Sequence, residues 1–395
     1  MEPSSHVTHQ AFVMELARAL LQFGTPAHRL EESLTLVTRR LGMGGEFNST
    51  PTSVVATFHG DGAPSTQLVR ANPGTVNLEK LVALDKLTDR VLRGELTPAD
   101  GSKRMDEILR APLRYGSLPT SAAFAVASMA LSYVFGGQGV QPMVAGGVGL
   151  IVGALSEISL RSSGFAKVFE LVAAFVASLI AHWAGKTHHA EPIYLTTVTG
   201  LIVLVPGLTL TVALIELSTS NLVSGTARLM GAGVTFLKLA FGVSLGGRAG
   251  DALFGEESVV AMSTAPLWIQ ATGLLVAALA ISVLFQAHPK DAGWILLASI
   301  AALAGSKLDP GLGAFLATAG SNLYARALGR PSRVPLMPSL VLLVPGSVGF
   351  KSVALLLQED VVSGVSAAFS MSLTATALVA GVLFANWIVP PRRLL

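Results

Sequence analysis

Leu201–Leu229 reads LIVLVPGLTLTVALIELSTSNLVSGTARL, and Leu340–Phe369 reads LVLLVPGSVGFKSVALLLQEDVVSGVSAAF. Each stretch sets a Pro-Gly pair inside an apolar run. Pro206-Gly207 pairs with Pro345-Gly346, and Ser224-Gly225 pairs with Ser363-Gly364. Both pairs lie 139 residues apart (345 − 206 and 363 − 224), so the copies align without a gap. A second match at the same register is hard to obtain by chance, and the stretches read as an internal duplication. Pro removes a backbone donor and clashes with the preceding turn, while Gly frees the backbone to leave the helix. Carbonyls released at membrane depth need partners, which only protein or a watery cavity supplies. The expected result is a broken helix whose exposed dipoles bind substrate or ion near the midplane. The plainer alternative is a packing kink. Two breaks in symmetric positions favour the first, because paired interruptions mark transporter sites.

The composition around these stretches agrees. Of 395 residues, 51% are hydrophobic and 13% charged, and mean hydropathy is +0.61. Soluble domains carry about 25% charged residues. From Ser117 onward, apolar runs of roughly 18 or more residues follow one another, the length that crosses the hydrocarbon core as helix. A polytopic α-helical membrane protein is expected, with ten spans at 118–136, 140–160, 166–184, 192–216, 222–245, 265–285, 292–306, 310–328, 335–357 and 361–389. Lys and Arg in short loops set orientation. With the N-terminal head inside, Arg161, Lys167, Lys290, Arg326, Arg330, Arg333, Arg392 and Arg393 are cytoplasmic. Lys186, Arg248 and Lys307 face outside, with Asp251, Glu256, Glu257, Glu359 and Asp360. Both termini are therefore expected in the cytoplasm, the protein being multi-pass in the inner (plasma) membrane. Five spans per copy is odd, so the second copy must lie inverted relative to the first, a recurring design of secondary transporters.

Three parts follow: a small cytoplasmic α/β head over 1–116, a first five-helix repeat over 117–255 and a second over 256–395. In the head, Ala11–Phe23 and Ala27–Leu41 are helical in spacing and are separated by Gly24-Thr25-Pro26. Phe47–Phe58 and Thr66–Arg70 are β-rich, with Gly60-Asp61-Gly62 as a hairpin turn. Asn77 caps a helix that stops at Gly94, and Thr97-Pro98 opens another. The opening residues, MEPSSHVTHQ, lack the basic and apolar regions of a signal peptide.

Ionisable residues within spans are the second indication of a site, since a charge at mid-bilayer costs about 2.5–3.5 kcal/mol. Lys238, deep in the fifth span, and Lys351, five residues after the second Pro-Gly, suit an anionic group such as a carboxylate. Snorkelling to the interface is the alternative for both. Arg228 and Glu216 are placed to pair across the intervening turn, as a gate or a structural clasp. Glu170 is a candidate proton carrier, although interfacial solvation is the favoured reading for it, Glu157 and Asp309. Asn221, Ser224, Asn322 and Ser363 offer neutral hydrogen bonds or helix–helix glue.

Other patterns point elsewhere. Gly146-Gly147-Val148-Gly149 with Gly153 suits close helix packing rather than a phosphate cradle. Pro345-Gly346-Ser347-Val348-Gly349 lacks the first Gly and the strand of a nucleophile elbow. His182, His188 and His189, placed in an outer loop, lack a carboxylate cluster for a metal. His59, Asp61 and Ser65 sit about a hairpin turn and form no triad. The chain has no Cys, hence no disulfide or thiolate chemistry. Net charge is only +3, and the basic residues gather at membrane edges, so nucleic acid is not expected as a partner.

Gly24-x-Pro26 before an amphipathic helix, then Leu68-Val69-Arg70 and Val76-Asn77-Leu78-x-Lys80-Leu81, resembles the cytoplasmic domain of the threonine/serine exporter family. The first Val-Pro-Gly, followed by Ser224-Gly225-x-x-Arg228, is similar to that family's first membrane half. Val344-Pro345-Gly346 with Lys351 is similar to its second. The resemblance covers about residues 10–390. It implies export of small hydrophilic amino acids such as threonine and serine, driven by the proton motive force. Some relatives split the halves into separate proteins associated with dicarboxylate (succinate) export, and that split would fall near residue 255. Some heads in the family have been likened to hydrolases, but no nucleophile with its base is found here.

The expectation is a proton-coupled secondary exporter of a small carboxylate-bearing metabolite, first threonine or serine, and alternatively a dicarboxylate. Pro206, Gly207, Asn221, Ser224, Lys238, Pro345, Gly346 and Lys351 are the candidate substrate-binding residues. Glu216 and Arg228 are the conformation-dependent pair, and Glu170 carries the proton. No cofactor, metal or catalytic residue is expected. The partners are the substrate, protons and the lipid bilayer, with a homo-oligomer left open. A membrane scaffold acting through its head is the rival from a different class.

Overall fold

The structure is a computed structural model that describes residues 3–59, 64–71, 74–188, 193–255, 266–343, 352, 355 and 360–391. Two helices open the chain, α1 (Pro3–Gln22) and α2 (Ala27–Arg40). α1 starts earlier than the apolar periodicity suggests, because its first turns are polar and need no buried face. It ends in a Schellman cap: Gly24 adopts φ +70°, its N–H reaches the Leu21 carbonyl, and the Thr25 N–H reaches that of Leu20.

Three antiparallel strands follow, β1 (Gly44–Ser49), β2 (Ser53–His59) and β3 (Ser65–Arg70), in the order β1-β2-β3. The expected continuous Phe47–Phe58 is in fact two strands. Pro51 cannot donate to a ladder, and the chain turns at Thr50–Thr52, where the Thr50 N–H meets the Ser53 carbonyl at 2.8 Å. The Gly60-Asp61-Gly62 turn lies outside the described residues. α3 (Leu78–Leu92) has Asn77 as its cap, the side chain accepting from Lys80 N, and Gly94 follows with φ +74°. α4 (Pro98–Arg110) is capped by Thr97. Phe12, Leu16 and Leu20 of α1, Leu30 and Leu34 of α2, Val54 and Phe58 of β2, Leu84 and Met105 form one buried cluster.

The remainder is helical: α5 (Ser117–Val134), α6 (Gln141–Arg161), the short α7 (Ser163–Ala166), α8 (Phe169–His188), α9 (Ile193–Gly200), α10 (Gly207–Ser218) and α11 (Leu222–Phe254). Then come α12 (Leu267–Leu284), α13 (Ala292–Ser306), α14 (Pro310–Leu328), α15 (Arg333–Leu343) and α16 (Val361–Ile388). Six described helices are long and apolar enough to cross a membrane, or seven when the bent pair α9–α10 counts as one. At 15 residues α13 is shorter than a full crossing, and so is α15 at 11. His182 and His188 lie within α8 rather than in a loop, because that helix runs on through the polar residues 185–188; His189 lies outside the described residues.

Small residues let these helices approach closely. Gly149 and Gly153 of α6 press on α5, where added Cβ atoms would lie 2.5 Å from Ser128 Oγ and 2.8 Å from Ser121 Cα. Gly242 of α11 packs on the Leu171 carbonyl of α8, at 2.4 Å for an added Cβ, and Gly381 of α16 packs on the Gly311 carbonyl of α14, at 2.0 Å. Residues 242 and 381 are also 139 apart, so the same contact recurs at the register of the sequence repeat. Gly381→Leu should force α14 from α16 and destabilise by about 1–3 kcal/mol or more, as overpacking does. Thermal unfolding in detergent checks this. Gly320→Leu, where an added Cβ meets nothing within 4 Å, should be nearly silent.

Candidate functional site

Between α9 and α10 the helix breaks, as Pro206-Gly207 led us to expect. Residues 202–204 form a single 3-10 turn, Val205 is extended, and the two helices meet at a bend of 51°. Pro206 has φ −78° and ψ 42°, and the Gly207 N–H turns back to the Val205 carbonyl at 2.8 Å. Thr196, Thr197, Thr199 and Thr211 are buried around the break. The hydroxyls of Thr197, Thr199 and Thr211 return to carbonyls of their own helices, so this apolar interior carries polar groups that are already satisfied. Pro345, Gly346 and Lys351 lie outside the described residues.

α10 and α11 form a hairpin whose turn holds a dense polar constellation. Ser220 takes the left-handed conformation, φ 65°, and the Asn221 N–H reaches the Glu216 carbonyl at 2.8 Å. This directs the fully buried Glu216 side chain toward α11. There Ser224 Oγ donates to Oε2 at 2.8 Å, and Arg228 Nε lies 3.1 Å from both carboxylate oxygens. The head supplies the remaining partner: the Ala27 N–H donates to Glu216 Oε1 at 2.8 Å. Ala27 begins α2, and the first amides of a helix have no intrahelical acceptor and carry the positive end of its dipole. A carboxylate 189 residues away in sequence satisfies it.

Arg333, in the first turn of α15, approaches the same head loop from the other half. Its Nη1 donates to Thr25 Oγ1 at 2.8 Å and its Nη2 to the Gly24 carbonyl at 2.9 Å. Arg228 Nη2 is 3.5 Å from the Thr25 carbonyl. Among the described residues Arg333 forms no ion pair, and burial, then Arg29 and Arg228, bring its guanidinium down to about 9. Asn221 Nδ2 lies 3.4 Å from Glu31, which also accepts from Ser49. Further contacts tie the head to the α12–α13 loop. The Leu78 N–H meets the Phe285 carbonyl at 2.9 Å, and the Tyr115 N–H meets Gln286 Oε1 at 2.9 Å.

The candidate residues thus fall into separate places. Asn221 and Ser224 join Glu216 and Arg228 at the head. Lys238 is 14 residues beyond Ser224, about 21 Å along the helix. It sits beside Glu170 at 3.5 Å, and its Nζ donates to the Lys167 carbonyl at 3.2 Å. Glu170 opens α8, where a carboxylate favours the helix dipole. Asp309 caps α14 through the Gly311 and Leu312 amides, and Asn322 joins α14 to α16 by donating to Asn386 and to the Val389 carbonyl. Sequence reasoning missed Thr25, Ala27 and the binding contacts of Arg333. The Gly-Thr-Pro break was visible, but its docking place was not.

His28 adjoins this joint, and burial, then Arg29 and Arg333, hold its imidazole down at about 4. Because the folded value lies below the ordinary 6.5, the unfolded chain binds more protons between pH 4 and 6.5. Stability from neutral His28 is complete above pH 6.5 and is lost as pH falls toward 4, up to about 3 kcal/mol. Unfolding midpoints measured across that window should drop more for wild type than for His28→Asn.

A family model described as "Putative threonine/serine exporter" matches residues 11–248, and one described as "Threonine/Serine exporter, ThrE" matches residues 270–388. Among similar curated proteins is "Pheromone-regulated membrane protein 10" of Kluyveromyces lactis, 34% identical over 252 residues, 62% of this chain and 26% of that protein. The proteins of that name in Eremothecium gossypii and Saccharomyces cerevisiae are 28% identical over 368 residues and 29% over 360. These alignments cover 87% and 85% of this chain, and 49% and 46% of the relatives. The chain spans about a quarter to a half of the length of these relatives. No solved structure matches. The first family match takes in the head and the broken α9–α10 segment, the second takes in α13 to α16, and the chain belongs to the threonine/serine exporter family.

Proposed function

We propose that the chain is a proton-coupled secondary exporter of a small carboxylate-bearing metabolite, first threonine or serine. The observation that carries this reading is the break at Pro206-Gly207 inside an apolar segment that has a sequence twin. In this reading the protein has a cytoplasmic head over 1–116 and crosses the plasma membrane ten times, as inverted repeats over 117–255 and 256–395. Both termini lie in the cytoplasm. Three contacts of the head support the orientation. The head hydrogen-bonds to the turn 218–221, to the loop after α12 and to the start of α15, all assigned to its own side by the distribution of Lys and Arg. The break at Pro206-Gly207 and its sequence twin Pro345-Gly346 line the central path, Lys238 and Lys351 attract the carboxylate, and Glu170 exchanges a proton beside Lys238.

Everted vesicles containing the protein should accumulate labelled threonine or serine when a pH gradient is imposed, and lose that accumulation when it is collapsed. Accumulation of succinate instead would identify a dicarboxylate exporter. Absence of flux for all three, from folded protein, would remove the exporter reading for these substrates and leave a scaffold acting through its head.

A further inference from the structure

We propose that Glu216, Ser224, Arg228 and Arg333 form a binding site for a small zwitterionic hydroxy amino acid on the head side of the helices. In this structure the Gly24–Ala27 loop occupies that site as a built-in stand-in, and arriving substrate displaces it. The inference rests on the exporter reading and adds to it a location, a recognition chemistry and a means of regulation.

The chemistry follows from what each group holds. A free hydroxy amino acid presents an ammonium, a carboxylate and a hydroxyl. The loop presents one counterpart for each. The Ala27 N–H stands where the ammonium would be, against the buried Glu216 carboxylate. The carbonyls of Gly24 and Thr25 stand for carboxylate oxygens, facing Arg333 and Arg228. The Thr25 hydroxyl accepts from Arg333 Nη1 at 2.8 Å. Arg333 and Arg228 also come from opposite halves of the chain, so whatever lies between them reports on how the halves are placed.

Three observations argue that this is more than a mechanical joint. Among the described residues, Arg333 is buried near other cations and is satisfied only by neutral oxygens and the Met337 sulfur, leaving charge that a carboxylate would neutralise better than a carbonyl does. The stand-in is held ready by the Schellman cap of α1, which fixes Thr25 through hydrogen bonds independent of the site. The constellation is also one-sided. At the repeat register of 139, Glu216 corresponds to Leu355 and Arg228 to Ala367, so the second copy carries neither charge. Ionic groups needed only to hold paired helices together would serve both copies. Here the Glu216–Arg228 pair occurs only in the first copy.

The test uses the full chain reconstituted in vesicles, with L-threonine as probe. Thr25→Val keeps the loop's shape and removes the hydroxyl that Arg333 binds. It should lower the apparent KM for threonine on the head side by several fold. Arg333→Gln should raise it by about tenfold or more, the effect of losing a charged hydrogen bond. L-valine, which lacks the hydroxyl, should compete poorly. In the wild-type protein, saturating threonine should accelerate hydrogen exchange at the Ala27 amide. Shifts of both variants in the same direction, or an Ala27 amide indifferent to threonine, would overturn the proposal and leave the exporter reading intact. Wild-type protein that neither binds nor transports threonine or serine would overturn both.

Discussion

Glu216→Ala is expected to abolish gradient-driven flux and to loosen the head from the helices. Glu216 is fully buried and is the acceptor for the Ala27 amide, the Ser224 hydroxyl and the Arg228 guanidinium. Its removal leaves Arg228 near Arg333, with no carboxylate among the described residues to compensate the two. Breaking a buried pair by deleting one partner costs about 3–5 kcal/mol, because the other charge stays buried and uncompensated. Arg228→Ala should be milder, since the carboxylate would keep the Ala27 and Ser224 donors. The double variant should recover part of the loss, as two neutral groups leave no orphan charge. Thermal unfolding in detergent and protease cleavage between Gly24 and Ala27 measure both. An Arg228→Ala effect equal to or larger than that of Glu216→Ala would contradict the assigned hierarchy.

Lys238→Ala should abolish transport while leaving folded protein in the membrane. Lys238 Nζ is a partner of Glu170 at 3.5 Å, and the lysine is part-exposed, so little packing depends on it. The cost of its loss therefore falls on charge. Without the ammonium, a carboxylate passing this level lacks its counter-ion. The pair is part-exposed, so its own contribution to stability is about 1 kcal/mol or less, and the loss is read instead in flux at low substrate, which should fall by about tenfold or more. Glu170→Gln separates the two roles. If the residue carries the proton, the variant should exchange labelled for unlabelled substrate yet fail to accumulate it against a gradient. Full activity of Lys238→Ala would remove this level of the helices from the transport path.

Much of the fold was legible because local physics wrote it into short stretches. Gly24-Thr25-Pro26 ended α1 by supplying a left-handed residue and then a residue without a donor. Asn77 and Thr97 announced α3 and α4 through oxygens that satisfy first-turn amides. Pro206-Gly207 broke the helix where those two residues must. The Phe47–Phe58 segment was misread because β propensity outweighed Pro51, although an interior proline argues against a continuous strand. His182 was placed in an outer loop. It lies in α8, its Nδ1 2.7 Å from the Ser178 carbonyl and its ring against Gly250. A glycine on a neighbouring helix, 68 residues away, is what makes room for it.

The candidate site was less legible. Charge in an apolar run identifies a residue that needs a partner, and the 12-residue spacing of Glu216 and Arg228 across a turn brought those two together. The third and fourth participants come from position 27, in the head, and position 333, in the second half. Neither carries a local signal: an alanine amide is invisible in a sequence, and an arginine at a helix start reads as a topology marker. The sequence by itself determined the helical segments, the small sheet, the break at Pro206 and the repeat, because each follows from covalent geometry and hydrophobicity over a few turns. Tertiary structure alone decided that Lys238 faces Glu170 rather than the Ser224 cluster, and that a head loop caps the buried carboxylate. Those contacts join residues up to 309 positions apart, and docking geometry rather than local propensity selects them.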